Sequence, residues 1–399
     1  MHRKRSERRA AKRAMRANLA PPLRGGINAS EIVLPQTDSQ GNPVAFETLG
    51  QWADAGWGDD ALAAFARGDY LADGNVLLSA DTPYRAGQRI WVFRPVLDEP
   101  EKPIELAVVA ENERYLVVEK PHGMATIPRG SHVANTVTVA ARRQFQNDLL
   151  VAAHRLDLET AGLVLLTKAP EFRAKYQTVF QRREIQKKYF AAAPICAEYA
   201  DGAVHSLELP LYRPAGQISV DVFAADSPCG QAHLEKGGRV WGSQTEIRLV
   251  REVRKAKWLG SKLSAVGGDL KSQLEIGADS EFTCGARRDP NTQSGRGKMT
   301  EINSAQREAH PDFVALPEKW GIYELRPHTG YLHQLRAVML HLGAPIFGDP
   351  LYPVWFTKER EAARAFYLQL LAAELEFIDP DDGELLRFVS NQRLWLDVQ

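Results

Sequence analysis

The chain is poor in cysteine: Cys196, Cys229 and Cys284 are the only three in 399 residues, and none falls in a CxxC spacing. Neither a disulfide framework nor a zinc site is therefore indicated. Isolated thiols suit a reducing compartment, so a cytoplasmic location is expected. No apolar run approaches the roughly 20 residues of a membrane-spanning helix, so no membrane partner is expected. Net charge is also missing, with 50 Lys and Arg against 50 Asp and Glu. Any attraction for a polyanion must then come from local clusters. A P-loop, a dinucleotide-binding glycine fingerprint and a metal-ligand cluster are all absent from the sequence, so neither a cofactor nor a metal is expected.

What is present begins with segregated charge. The first sixteen residues, MHRKRSERRAAKRAMR, hold eight Arg or Lys against one Glu, which leaves the rest of the chain net negative. With no aromatic or β-branched residue, this stretch reads as a flexible arm or nascent helix. A phosphate-neutralising arm, a solubility tail and an organelle-targeting peptide are its three readings. The Pro/Gly stretch at 21–30 reads as a linker, so residues 1–30 form an arm and linker. Residues 31–98 read as a small unit: a helical stretch, an Asp73-Gly74 hairpin turn and the strand-like RAGQRIWVF. Residues 99–399 carry the main domain. Within it, 253–316 is rich in Gly, Ser, Asn and Asp without apolar periodicity, and reads as an inserted segment rather than core. At 44% hydrophobic, the chain has enough apolar mass for two domains.

The chemistry-bearing segment is HRLDLETAGLVLLTK, His154 to Lys168. Asp157 stands among polar and basic residues just before the apolar run Gly162 to Leu166, which reads as a buried central strand. A carboxylate on a loop held by such a strand is where chemistry is commonly presented. A second segment, LRPHTGYLHQLRAVMLHLGAPIFGDPLYP, runs from Leu325 to Pro353. There Leu332, Leu335, Met339 and Leu342 recur at helical spacing, and Gly343 is placed to end the helix. Arg336, on the flank of that stripe, is a cation able to keep a nearby carboxylate ionised. Taken singly, the two segments read equally well as a structural turn and a solvated helix.

Together, HRLD-x-x-T-x-G-L and TG-x-x-HQ-x-R…G-x-P-x-x-GD-x-x-Y closely resemble the signature blocks of the RluA-type pseudouridine synthases. YLVVEKPHGM (Tyr115 to Met124) resembles the opening strand and KP-x-G turn of that family, and KKYFAAAP (Lys187 to Pro194) its tyrosine-bearing strand. The likeness covers residues 103–252 and 320–399. Tyr331 departs from it, standing where the family commonly has arginine; Ala161 and Leu371 depart too, where Ser and His are common.

The resemblance implies an α+β protein with the pseudouridine synthase fold, a long bent mixed β-sheet with flanking helices, preceded by the small N-terminal unit. That unit loosely resembles a ribosomal-protein-like RNA-binding module but is acidic, so a degenerate or structural version is expected. The implied activity is isomerisation of specific uridines to pseudouridine in structured RNA, ribosomal RNA first and transfer RNA as the alternative, by a monomer. The implied catalytic residues are Asp157, Tyr189 and Arg336, with Arg155, Leu335, His333 and Lys188 around the substrate. The target base must leave its stack to be reached. His154 is expected to serve as a structural hydrogen-bonder. A glycosidic hydrolase would need a second carboxylate, and Glu159, two residues from Asp157, is poorly placed across a substrate. A non-catalytic RNA binder would have lost Asp157, Tyr189 or Arg336, and all three are present.

Overall fold

The computed structural model describes residues 19–57, 59–94, 104–130, 132–214, 218–222, 239–254, 319–352 and 367–394. The basic arm, Cys229, Cys284 and all but the first two residues of the 253–316 segment lie outside these residues. The chain divides into two compact units, Met1–Glu105 with Ile127–Asp148, and Leu106–Thr126 with Leu149–Gln399.

The first unit is built on four antiparallel strands, β1 (Ser30–Val33), β2 (Tyr70–Ala72), β3 (Val76–Leu77) and β4 (Arg89–Val92), in the order β1-β4-β2-β3. Gly74 at φ +77° makes the turn between β2 and β3 that the Asp-Gly pair predicts. Helices α1 (Leu49–Trp57) and α2 (Asp59–Ala66) complete a core of Leu49, Trp52, Ala53, Ala61, Tyr70 and Ile90. Helix α3 (Val137–Gln144) is capped by Thr136, whose hydroxyl accepts from Val139 N–H. Arg142 donates to Gly26 O at 2.8 Å and Asn28 Oδ1 at 2.6 Å, and Arg143 to Gly25 O at 2.7 Å. Residues 25–28 are therefore folded against α3 rather than serving as linker. These bonds draw 127–148 into the N-terminal unit, where the sequence reading had assigned everything from 99 on to the main domain.

The second unit is an eleven-stranded mixed sheet, giving the α+β architecture expected. Its strands are β5 (Val108–Glu111), β6 (Tyr115–Lys120), β7 (Val151–Ala152), β8 (Ala161–Thr167), β9 (Ile185–Pro194), β10 (His205–Arg213), β11 (Asp221–Val222), β12 (Arg239–Arg254), β13 (Lys319–Pro327), β14 (Leu370–Ile378) and β15 (Leu385–Val389). The main path runs β11-β10-β12-β13-β9-β14-β8-β6-β5, with β7 on β8 and β15 on β14. All seven residues of β8 are buried, as the apolar run requires. β8 and β14 run parallel, pairing Ala372 with Gly162. Gly162 lies at φ +114°, and a Cβ there would stand 2.2 Å from Ala372 O. Only glycine permits that approach.

Two helices pack in this unit. In α4 (Pro170–Gln181), Tyr176 and Val179 are buried, with Phe172 and Phe180 partly so. In α5 (Gln334–His341), Leu335 and Met339 join Ala191, Tyr323 and Leu325 in one core cluster. Gly343, at φ +73°, follows the end of α5 as its sequence position predicts. The Asp-Asp-Gly turn between β14 and β15 forms the closing hairpin. Among the described residues, no helix is long and apolar enough to cross a membrane.

Candidate active site

The loop between β7 and β8 carries Asp157, and three side chains from the end of β6 and the segment after it pin it. Lys120, at the end of β6, is fully buried and donates to Leu158 O at 2.8 Å and Pro121 O at 2.9 Å. His122 Nδ1 meets Glu159 O at 2.8 Å. Thr126 Oγ1 bonds both Leu156 N–H and Leu156 O at 3.1 Å. The backbone on both sides of Asp157 is thus held at fixed points, which fixes where its carboxylate is presented. Burial pushes the Lys120 amine down to about 7, against the opposing pull of Glu159 and Asp157.

Helix α5 supplies the cation. Gln334, buried at its first turn, accepts from Thr329 Oγ1 (2.7 Å) and Tyr331 N–H (3.2 Å). Its amide donates to Gln244 O (3.1 Å) and Thr245 Oγ1 (2.9 Å) on β12. This clamp fixes the helix entry, and Arg336 then lies buried with Nη1 3.5 Å from Asp157 Oδ2. The other side of the guanidinium is engaged by Asp349, Nε to Oδ2 at 2.7 Å and Nη2 to Oδ1 at 2.6 Å. Such a bidentate fork fixes the plane as well as the position of an arginine. Burial opposes the charge on Arg336, but the hydrogen bonds and charge of Asp349, with that of Asp157, outweigh it and raise its pKa. Asp349 also accepts the Leu351 and Tyr352 N–H groups (2.9 and 3.0 Å), and the Tyr352 ring lies 5.2 Å from the guanidinium carbon.

His333 closes the group, its Nε2 3.9 Å from Asp157 Oδ2 and its Nδ1 3.3 Å from Tyr352 Oη. It sits at φ +51°, a left-handed conformation that non-glycine residues hold only when their surroundings impose it. Burial lowers the His333 pKa despite the Asp157 charge. Tyr189 projects from β9, its phenol raised by burial first and the Asp157 charge second, so it stays protonated. It packs on the core cluster that contains Leu335. Asp157, Arg336, His333 and Tyr189 are therefore brought together, with Leu335 in the core cluster on which Tyr189 packs.

One residue named from sequence is engaged elsewhere, while Arg155 lies on the Asp157 loop. Lys188 is paired with Glu374 at 2.9 Å, and Glu374 also holds Arg387. Side chains alternate across a strand, so Lys187, not Lys188, shares the face of Tyr189. Arg155 is exposed, with no ion pair among the described residues. His154 fits the structural reading: its Nε2 accepts Leu165 N–H at 3.1 Å, and burial drives its pKa down to about 3.

The family model for RNA pseudouridylate synthase matches residues 114–341, more than half of the chain and a span that includes Asp157, Tyr189 and Arg336. The chain belongs to the RNA pseudouridylate synthase family. The dual-specificity RNA pseudouridine synthase RluA of Salmonella typhimurium is 34% identical over 291 residues, 72% of this chain and 94% of that protein. The ribosomal large subunit pseudouridine synthase D of Xanthomonas campestris is 26% identical over 337 residues, covering 80% of this chain and 76% of its own length. An uncharacterized RNA pseudouridine synthase of Synechocystis is 32% identical over 107 residues, and the match spans only 37% of that protein. Among solved structures, human RNA pseudouridylate synthase domain containing 1 aligns at TM-score 0.46 and 16% identity, covering 74% of this chain and 86% of that one.

Family membership accounts for the sequence blocks, and the geometry gives their unassigned members physical work. Asp349 and Tyr352, the D and Y of GD-x-x-Y, orient Arg336. Lys120, of KP-x-G, holds the Asp157 loop. Gln334, of HQ-x-R, locks α5 to β12. Each lies inside a recognised block, but a block does not show which partner its residues reach.

Proposed function

We propose that this chain isomerises specific uridines to pseudouridine in structured RNA, with Asp157 as the catalytic carboxylate and ribosomal RNA as the substrate. The observation that carries the reading is the approach of Asp157 to a buried arginine, 3.5 Å away, that a second carboxylate already orients. The reaction breaks the N1–C1′ bond of a uridine and forms a C5–C1′ bond to the same uracil. C5 loses a proton and N1 gains one, so the atoms balance without an added reactant. Such chemistry asks for one ionised carboxylate at the nucleoside, a fixed cation beside it and a surface that retains the detached base. Asp157, Arg336 and Tyr189 answer those needs in turn. Tyr189, kept neutral, stacks on the uracil after the nucleotide has flipped out of its helix. His333 and Leu335 line the base, and Arg155, exposed beside the loop, takes the space the base vacates. The protein works as a cytoplasmic monomer with no cofactor.

Ribosomal RNA is favoured because the Xanthomonas relative, named for the large ribosomal subunit, matches 80% of this chain. The test is to incubate the purified protein with ribosomal and transfer RNAs transcribed without modification, and to map pseudouridine in each. A defined position in ribosomal RNA should be converted by the wild type and left unconverted by Asp157→Asn. Conversion confined to transfer RNA would overturn the substrate assignment. Turnover by Asp157→Asn within tenfold of wild type, with deamidation excluded, would overturn the catalytic one.

A further inference from the structure

Among the described residues, two cations near the site meet no carboxylate. Lys187 lies on the β9 face shared with Tyr189, two residues away, or ~6.6 Å along the strand. Its Nζ donates to Thr329 O at 3.1 Å, which leaves two of its three N–H donors without a partner among the described residues. Arg183, at the turn from α4 to β9, donates through Nη2 to Tyr331 Oη at 3.1 Å, its guanidinium carbon 5.7 Å from the tyrosine ring. Trp241 stacks on that ring in turn, with centroids 5.5 Å apart and planes 20° from parallel. Arg183 holds this place at φ +62°, a conformation unusual for a side-chain-bearing residue. Its side chain is thus braced on an aromatic pair rather than on a carboxylate.

The surroundings set the two apart. Lys188 has Glu374, Arg182 has Glu184 at 3.9 Å, and Arg248 and Arg326 share Glu324. Among the described residues, neither Arg183 nor Lys187 makes an ion pair with a carboxylate. Burial and the like charge of Arg183 together push the Lys187 amine down to about 8. Two mutually repelling cations, one partly buried, are held together in a chain with as many acids as bases. That arrangement is unfavourable alone and favourable around an anion.

We infer that Arg183 and Lys187 form a phosphate site that grips one backbone phosphate of the RNA strand next to the uridine bound at Asp157. Tyr331 and Trp241 orient the arginine. The inference rests on the reading of the Asp157 site as an RNA site. It adds the anchor that sets where the strand enters. A phosphate contact of this kind positions RNA without reading its sequence.

The test compares Arg183→Gln with Arg182→Gln, a neighbouring substitution that removes the same charge from a residue already paired with Glu184. Binding of a labelled ribosomal RNA transcript is titrated with salt, and the rate of pseudouridine formation is measured against RNA concentration. Arg183→Gln should flatten the log–log salt slope by about 0.7, the value of one single-strand phosphate contact. It should also weaken binding about tenfold, as losing a charge-assisted hydrogen bond does. The loss should fall on KM, with kcat and the modified position retained. Arg182→Gln should track wild type. Tyr331→Phe, which removes only the hydroxyl that Arg183 reaches, should move in the same direction by a smaller factor. Should the wild type convert uridine while Arg183→Gln and Arg182→Gln give the same slope and KM, the phosphate site is refuted and the catalytic reading stands. A wild type that converts no uridine in any RNA refutes the catalytic reading instead.

Discussion

Arg336 serves two carboxylates, and the two services can be separated. Its side chain is 4% exposed and that of Asp349 2%, whereas Asp157 is 26% exposed. Arg336→Met leaves Asp349 buried without its cation, and breaking a buried pair in this way costs about 3–5 kcal/mol. Asp349→Asn keeps an oxygen for the Leu351 and Tyr352 N–H groups but loses half of the fork to Arg336. Losing a hydrogen bond between charged groups costs about 2 kcal/mol, partly offset because Asp157 still faces the guanidinium. Combined, the two substitutions remove both buried charges at once. The double variant should therefore be no less stable than Arg336→Met alone, a coupling of about 2 kcal/mol relative to simple addition.

Activity should follow a different pattern. Arg336→Met removes the cation beside Asp157, and losing a fixed electrostatic partner of this kind lowers the rate by about 10²–10³. Asp349→Asn only loosens the orientation of Arg336, so its rate should fall by about tenfold. The double variant should regain stability over the sum of the single losses yet remain as slow as Arg336→Met. Urea unfolding with unchanged m-values gives the stabilities, and pseudouridine formation in a ribosomal RNA transcript gives the rates. Additive stability losses would show that Asp349 is not the buried partner of Arg336. Recovery of activity in the double variant would show that the Arg336 charge is not what Asp157 needs.

Other consequences can be checked singly. The Lys120 amine, with its folded value near 7 and an unfolded value near 10.5, binds fewer protons in the folded state across that window. Its contribution to stability therefore rises with pH from about 7 to 10.5. Lys120→Met should remove this rise, so urea midpoints of wild type and variant that move in parallel from pH 7 to 9.5 would count against it. Gly162→Ala, with its Cβ driven into Ala372 and a strained φ, should cost about 3 kcal/mol or more; a midpoint within the error of wild type would show that β8 and β14 can part cheaply. RNA affinity should fall as pH rises through about 8, where Lys187 loses its proton. In Arg183→Gln that midpoint should move upward, because a like charge is gone, and a flat profile in the wild type would exclude Lys187 from binding.

How far the site was legible in the sequence depended on what kind of order each residue obeys. β8 was legible because a fully buried strand must be an unbroken apolar run, and α5 because its apolar residues repeat at helical spacing. Asp157 and Arg336 were legible as a pair only through the blocks that carry them, since nothing local says that the β7–β8 loop will meet a helix from near the C-terminus. Strand geometry separates Lys188, the lysine named from sequence, from its neighbour Lys187. Once Tyr189 is assigned to the site, parity alone sends Lys188 to the opposite face, where Glu374 waits, and brings Lys187 to the near one. Lys120 was hidden differently: it ends the strand YLVVEK, where a charged residue reads as the point of emergence into solvent. Its buried amine is met by the Leu158 carbonyl, on the loop just before β8, the strand that pairs with β6. Asp349 shows the same limit. An acidic residue after glycine reads as a turn, and at φ +73° Gly348 does make one, but the turn matters because it aims the carboxylate at Arg336. Local pattern discloses elements and their buried faces. The polar contacts that orient a catalytic group run between elements, and they become visible only when the sheet has brought those elements together.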